Sequence, residues 1–431
     1  MNNKSNSVAN RKSAWYLRFS TWAGLIGLML VAIVSTFAWR EIGAARELNE
    51  ERSRDRLVGR PVDRESLAAW YHSQTSTEGT VEWSEILTLV SSQFISNRMQ
   101  LFQKESIDPP FPEGSQEYYD HLKDFLREVQ PLIERIRAVG ALKKPVWIPI
   151  QFDEFWDRFY ASRSVLQLMS LEFESAVHER DSSRAIQSLE TMLNSVVAFD
   201  WNLGSISTYL SIIHRHMLYD SLTKSLEVDL WDEAQLVSLK EMIRPLDLNA
   251  VWQKVLDVDG CQLSADSPRG MMDYLPLPSM KKQMFDQLQQ SRHLVKDGYR
   301  GLRGLWKRHA TDAATGNWWS NQQSMFGEMA KALVLLEDHR RLTMAAVELK
   351  RFSLEKKRLP TDLRELDQFA QGGVELETCE GRRFVYEIDN DSKAATLWFG
   401  IINEESERAS HMEDPLIKKT PGLSYSVTVT L

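Results

Sequence analysis

Apolar positions recur at helical spacing through the middle of the chain. Phe155, Phe159, Leu166, Met169, Phe173 and Val177 fall at steps that place them on one stripe of a helix over 155–177. The run HERDSS (178–183) interrupts the pattern. Asp181 or Ser182 is the expected cap of the next helix, because either side chain can accept a hydrogen bond from its free N–H groups. That helix carries Ala185, Leu189, Met192, Val196 and Phe199, and a third carries Ile206, Leu210, Ile213 and Met217. Short connections between the three predict consecutive antiparallel hairpins.

Further helices are expected at 63–73, 81–104, 115–139, 232–244, 279–309 and 322–357, with Asp232 as an N-cap. DPPFPEG (108–114) is a turn-rich break, and DGCQLSADSPRGMMDYLPLP (259–278) reads as a long ordered loop. ATGNWW (314–319) is the last large break, and its Trp pair is expected to pack against the bundle. The helix pairs have the length of tetratricopeptide hairpins but lack that repeat's consensus positions and show no clean internal period.

The period changes near the C-terminus. Leu342, Ala345, Leu349 and Phe352 continue a helix into KKRLPTDL (356–363), where Pro360 stops it and Thr361 or Asp362 caps a short new one reaching Leu366. Beyond Gly372 and Gly373 the spacing becomes two. Phe384, Tyr386 and Ile388, then Leu397, Phe399 and Ile401, then Tyr425, Val427, Val429 and Leu431 predict antiparallel strands, with NDSK (390–393) as a hairpin turn.

One more pattern dominates the N-terminal part. Residues 22–39, WAGLIGLMLVAIVSTFAW, carry no charge. As a helix they rise about 27 Å, close to the hydrocarbon thickness of a bilayer. Trp15, Tyr16 and Trp22 stand at one end and Trp39 at the other, where aromatic rings suit the headgroup layers. Lys4, Arg11, Lys12 and Arg18 precede the stretch without an acid, whereas Arg40 to Arg56 balances five bases against five acids. Basic residues resist translocation, so the expected orientation is N-terminus inside and bulk outside. Thr36 and Ala38 would permit signal cleavage, but the long apolar run to Trp39 favours a retained anchor.

The expected architecture is mainly α: an N-terminal transmembrane helix, an irregular antiparallel helical-hairpin array, and a small C-terminal α+β module with a short antiparallel sheet. Its parts are a basic cytoplasmic tail (1–21), the membrane span (22–39), a helical stalk (40–60), a helical body (61–341), and a C-terminal helix plus sheet (342–431). The stalk segment GAARELNEERSRDR (43–56) alternates in charge, as a solvated helix does.

Composition narrows the function classes. The chain has 431 residues, 43% apolar and 26% charged, within the range of folded proteins. Lys and Arg number 52 against 60 Asp and Glu, a net charge of −8 that disfavours binding to a phosphate backbone. Two cysteines in the whole chain exclude a disulfide scaffold and a Cys-rich zinc module.

Two resemblances follow from particular stretches. MAAVELKRFSLEKKRLPTDLREL (344–366), followed by strands, resembles the globular part of type II secretion pseudopilins, in which a long helix enters a proline turn and then a small sheet. Leu359-Pro360-Thr361-Asp362-Leu363 occupies the turn. The pilin N-terminal pattern is not matched, since Arg18 precedes Phe19 and Ala23 stands where a Glu would be. Over roughly 155–400, the order LMSLEFESAVHERDSSRAIQSLETML, STYLSIIHRHMLYDSL and proline turn is similar to uncharacterised membrane-anchored helical proteins of planctomycete-type bacteria. That similarity implies architecture and no particular chemistry.

Candidate chemistry is sparse. Phosphate-binding glycine loops, the GxSxG elbow and HExxH are missing from the sequence. His214 and His216 project about 200° apart on a helix and cannot share one metal ion, so one is expected in the core and one in solvent. Glu174 and His178 are four apart and can meet on one face, most simply as a structural pair at a helix end. Glu337 and His339, two apart, cannot meet this way. Cys261 and Cys379 could bridge the 259–278 loop to the sheet, although two isolated thiols are the simpler expectation. The basic run KDGYRGLRGLWKRH (296–309) puts Arg300, Arg303 and Lys307 on one face, a solvated surface by default, with Trp306 packing behind.

No catalytic, cofactor-binding or metal-binding residue is assigned, and no cofactor is expected. The expectation is a single-pass inner-membrane protein whose soluble extracytoplasmic domain is a non-enzymatic scaffold. Its partners would be membrane lipid through 22–39 and other envelope proteins, with no nucleic acid. The alternative is an envelope enzyme or a ligand- or wall-polymer-binding module with its site near 259–278.

Overall fold

The computed structural model describes residues 5–105, 115–142, 146, 155–199, 204–243, 248–264, separate helical positions at 278–290, 300–305, 318–389, 394–400 and 424–430. It is mainly helical with one small antiparallel sheet, as the periodicity predicts. The chain divides into two compact units, Met1–Leu67 with Gly260–Gln290, and Ala68–Asp259 with Ser291–Leu431.

The first unit is built on α1, Ser5–Leu57, a single 53-residue helix. Leu25, Ile26, Leu28, Met29, Leu30, Val31, Ile33, Val34, Phe37 and Trp39 are all exposed. The helix is long and apolar enough to cross a bilayer, a property shared by membrane anchors and signal sequences. The side chains of Trp15, Tyr16 and Trp22 lie outside the described residues. Below the apolar stretch, the helix is charged and laced by Arg46–Glu50 and Arg54–Glu51 pairs. It ends where Gly59 takes φ +76° and the Arg60 N–H reaches back to the Asp55 carbonyl (3.0 Å), the bond that closes a left-handed cap. Within the same unit, Glu41 accepts from the Ser279 N–H (2.9 Å) and hydroxyl (2.6 Å), and Lys282 pairs with Glu47 (3.3 Å).

The second unit holds the helical body. It begins within α2 (Arg64–Gln74) and continues through α3 (Thr77–Val90), α4 (Gln93–Glu105), α5 (Gln116–Glu128) and α6 (Gln130–Gly140). Two expected helices are each split. The 81–104 helix stops at Ser91, whose hydroxyl bonds to the Leu87 carbonyl (2.6 Å) and competes with the backbone ladder. The 115–139 helix stops at Val129, because Pro131 has no N–H and fits only the first turn of a new helix. DPPFPEG lies outside the described residues.

Helices α7 (Phe155–His178), α8 (Ser182–Phe199) and α9 (Gly204–Ser225) pack mutually, as their spacing predicts. Asp181 caps α8, accepting from the Arg184 N–H (3.0 Å). The α8 stripe Ala185, Leu189, Met192, Val196 and Phe199 is buried. In α7, Leu166, Met169, Phe173 and Val177 are buried, but so are Val165, Leu168, Leu171 and Ala176. That helix is wrapped by α3, α5, α8 and α9, so its core face is wider than one stripe. The expected α9 stripe is displaced. Ile213 and Met217 are only half-buried, while Ile212, His214, Leu218, Tyr219 and Leu222 are buried, because α12 (Trp318–Lys356) covers a second side. The side chains of Phe155, Phe159, Ile206 and Leu210 lie outside the described residues.

After α10 (Glu233–Met242), α11 runs Leu248–Ser264. The expected loop at 259–278 is therefore helical in its first six residues. Burial of Trp252, Val255, Leu256 and Val258 outweighs the cost of about 1 kcal/mol for Gly260 in a helix. Residues 265–277 lie outside the described residues. So does most of the expected 279–309 helix, Lys307 and Trp306 included.

The long α12, Trp318–Lys356, spans the expected 341/342 boundary without a break and carries the sheet on its C-terminal half. The side chains of the Trp318–Trp319 pair lie outside the described residues. The α12 helix ends before Pro360, and Asp362 caps α13 (Leu363–Phe369), accepting from the Arg364 and Glu365 N–H groups at 2.9 Å. Strands β1 (Val385–Asp389), β2 (Ala394–Gly400) and β3 (Ser424–Thr430) form an antiparallel sheet in sequence order. Its register sets Leu397 opposite Tyr386 and Val427. Ala395, Leu397, Phe399, Val427 and Val429 fill the face toward α12, and the Tyr386 hydroxyl ties the proline turn by donating to the Pro360 carbonyl (2.7 Å). The NDSK turn, Ile401 and Leu431 lie outside the described residues.

Candidate functional site

The polar residues of α9 fall at one helical interval: His216, Asp220 and Lys224 are successive i,i+4 positions. On α7, Ser170 and Glu174 share the same spacing. Where the two helices face each other they enclose a pocket of about 170 Å³, lined by Ser170, Phe173, Glu174, Met217, Asp220, Ser221 and Lys224. Phe173 and Ser221 are buried at its base, and Asp220 and Lys224 are exposed at its rim. The two serine hydroxyls meet at 3.1 Å across the helices.

Both carboxylates of the pocket are under strain from burial. The Glu174 carboxyl is pushed above the ordinary range by desolvation, against the pull of Lys224 and a long hydrogen bond from the Tyr118 hydroxyl (3.4 Å). Asp220 is pushed up to about 6, again by desolvation on its inner side and against Lys224, although half its side chain remains in solvent.

Behind Asp220 lies a pair of histidines. Asp220 Oδ1 is 3.6 Å from Nε2 of His339, and His339 Nδ1 is 2.8 Å from Nδ1 of His216. The rings stack with centroids 5.1 Å apart, and Tyr219 closes the group edge-on at 5.5 Å. Burial holds both imidazoles neutral, His216 at about 4 and His339 well below its ordinary value, where His216 adds to the effect. Neutral rings share one proton across the Nδ1–Nδ1 contact. A carboxylate beside Nε2 favours the N–H there, which leaves His339 Nδ1 to accept from His216. The arrangement is a carboxylate, two imidazoles and a pocket in series, suited to binding a polar molecule and exchanging a proton with it through Asp220.

The residues singled out in the sequence fare differently. His214 is fully buried near Phe199, but His216 faces His339 on α12 and not solvent. Glu174 and His178 do not meet as a pair. Glu174 takes Tyr118, and His178 stacks flat on Tyr119 with centroids 3.5 Å apart, because α5 packs along this face of α7. Glu337 is buried against Arg340 (2.7 and 2.8 Å) and Arg341 (3.3 Å). Both cysteines are free thiols, and the bridge is not formed. Cys261 donates to the Asp63 carbonyl (3.3 Å) and burial pushes its thiol up to about 12. Burial and Asp338 push the Cys379 thiol up further. Neither is a nucleophilic thiolate at neutral pH. Arg303 pairs with Glu380 (3.2 Å), so this base of the 296–309 run is bound within the second unit.

None of the residues lining the pocket belongs to 259–278, where the alternative reading put a site, and 265–277 lie outside the described residues. The pocket's α9 residues were visible in the sequence only as a polar i,i+4 ladder. The third member of the relay, His339, is 123 residues from His216, and no local spacing announces it.

The chain matches no protein-family model, no curated protein and no solved structure. Among the described residues, no three His, Cys, Asp or Glu side chains gather as a metal site.

Proposed function

We propose that this chain is a single-pass protein of the inner membrane, with its N-terminus in the cytoplasm and its helical body outside, acting as a scaffold in an envelope assembly. The observation that carries the reading is the fully exposed apolar stretch of α1, continuous with a charged helical stalk. A row of exposed Leu, Ile, Val and Phe on one helix is costly in water and stable in lipid. The resemblances over 155–400 and 344–366 support the same architecture, a membrane-tethered body with a helix, proline turn and sheet. Charge asymmetry about the span supports the orientation.

The test is made on the full-length protein in intact cells. A tag after Leu431 should be open to protease from the outside and a tag before Met1 protected. In-cell crosslinking should then capture a stoichiometric envelope protein. A C-terminal tag on the cytosolic side, or a chain that crosslinks to nothing, would overturn the reading.

A further inference from the structure

We propose that the pocket between α7 and α9 binds a small organic ammonium compound. Charge decides the class. The pocket walls hold two carboxylates, Glu174 and Asp220, and one cation, Lys224. A monocation brings that set to neutrality, an anion doubles its imbalance, and a divalent metal overshoots it beside a lysine. The Ser170 and Ser221 hydroxyls offer further acceptors for N–H groups, and Phe173 with Met217 supplies the apolar wall that an alkyl chain requires. The pocket exceeds the roughly 10–15 Å³ that one water needs by about tenfold, so it has room for a short carbon chain.

The state of Glu174 points the same way independently. Only its Oε2 has a protein partner among the described residues, the Tyr118 hydroxyl at a weak 3.4 Å. A carboxylate crowded by protein and short of donors gains most from a donor that also carries positive charge. Burial raises both carboxyls, and Asp220, pushed up to about 6, carries a proton below that pH which the guest must displace. The titratable groups that act on the two carboxyls are Tyr118 on α5, Lys224 on α9 and, beside Asp220, His339 on α12. The buried histidine pair stays neutral and adds no competing cation.

Calorimetry on the full-length protein in detergent micelles tests this, with propylammonium as the probe and acetate and potassium as comparators. Saturable one-to-one binding of propylammonium is expected, tightening from about pH 5 to about pH 7 as the Asp220 carboxyl ionises. Asp220→Asn and Glu174→Gln should each weaken it by about tenfold, the loss of one charge-assisted hydrogen bond. Lys224→Met removes an exposed repelling cation and should tighten binding several-fold. It reports even where a buried-carboxyl variant fails to fold. No saturable binding at neutral pH, equal binding of acetate or potassium, or Lys224→Met weakening the probe would each overturn the proposal.

Discussion

Arg180 sits between α7 and α8 with φ +56°, a conformation that glycine adopts freely and an L side chain does not. The turn needs it. The Asp181 N–H reaches the Ala176 carbonyl (2.8 Å) and the Arg180 N–H the Val177 carbonyl (3.1 Å), which satisfies the open end of α7. Gly59 fills the equivalent position after α1, whereas here and at Gln371 (φ +54°) the position is not glycine. Arg180 is exposed, so its side chain offers little in return. Arg180→Gly is therefore expected to stabilise the protein by about 0.5–1 kcal/mol, read as a raised midpoint in thermal unfolding. A lowered midpoint would mean that the arginine makes a contact worth more than the strain. The break at HERDSS was legible in the sequence, but its left-handed residue was not, since the run has no glycine. The sequence did announce the caps at Asp181, Asp232 and Asp362, whose short side chains act on their own backbone.

Spacing could mark the apolar stripe of a helix, and not the polar side chains buried beside it. Every stripe residue of α8 is buried, with Ser188, Thr191, Ser195 and Ala198 buried beside them, and Gln187 and Glu190 mark its exposed side. Helix α9 lies among α7, α8 and α12 and buries Thr208, His214, Ser221, Thr223 and Ser225, and there the expected stripe itself is displaced, with Ile213 and Met217 only half-buried. Hydrophobic spacing loses its meaning when polar side chains are buried too. The α9–α12 junction is where this matters, since the His216–His339 contact sits there. Both imidazoles titrate below the unfolded value near 6.5, so the unfolded chain binds more protons as acid is added. Their contribution to stability is complete above about pH 6.5 and is lost as pH falls toward about 4. Asp220 and Asp338 oppose it. Raised to about 6, they are protonated more readily in the fold and favour it as pH falls from there toward 3.8. A paired substitution separates the two effects. His216→Phe with His339→Leu removes both partners at once and leaves no orphaned nitrogen. Between about pH 6.5 and pH 4.5 the stability difference should move in the variant's favour by at least about 2 kcal/mol, the share of His216 alone, measured by denaturant unfolding at each pH. An unchanged difference would mean that the imidazoles are not held neutral.

At the scale of the molecule, the most legible feature is the one that needs no tertiary partner. An uncharged run of residues 22–39 between charged flanks reads as a bilayer-crossing length whatever follows it, and the exposed side chains from Leu25 onward agree. The pocket and its relay are the opposite case. They depend on α7, α9 and α12 coming together, and no residue in them is unusual for a packed helix on its own. The apolar stretch also offers the most direct handle on the whole protein. An arginine near the middle of a bilayer costs about 2.5–3.5 kcal/mol. Leu28 and Val31 lie three apart on the exposed apolar surface of α1, close to the centre of the uncharged run. Leu28→Arg with Val31→Arg should move the protein from carbonate-washed membranes to the soluble fraction, leaving unfolding of the second unit unchanged. If the wild-type chain itself were soluble and had lost residues up to Ala38, the stretch would be an export signal and not an anchor.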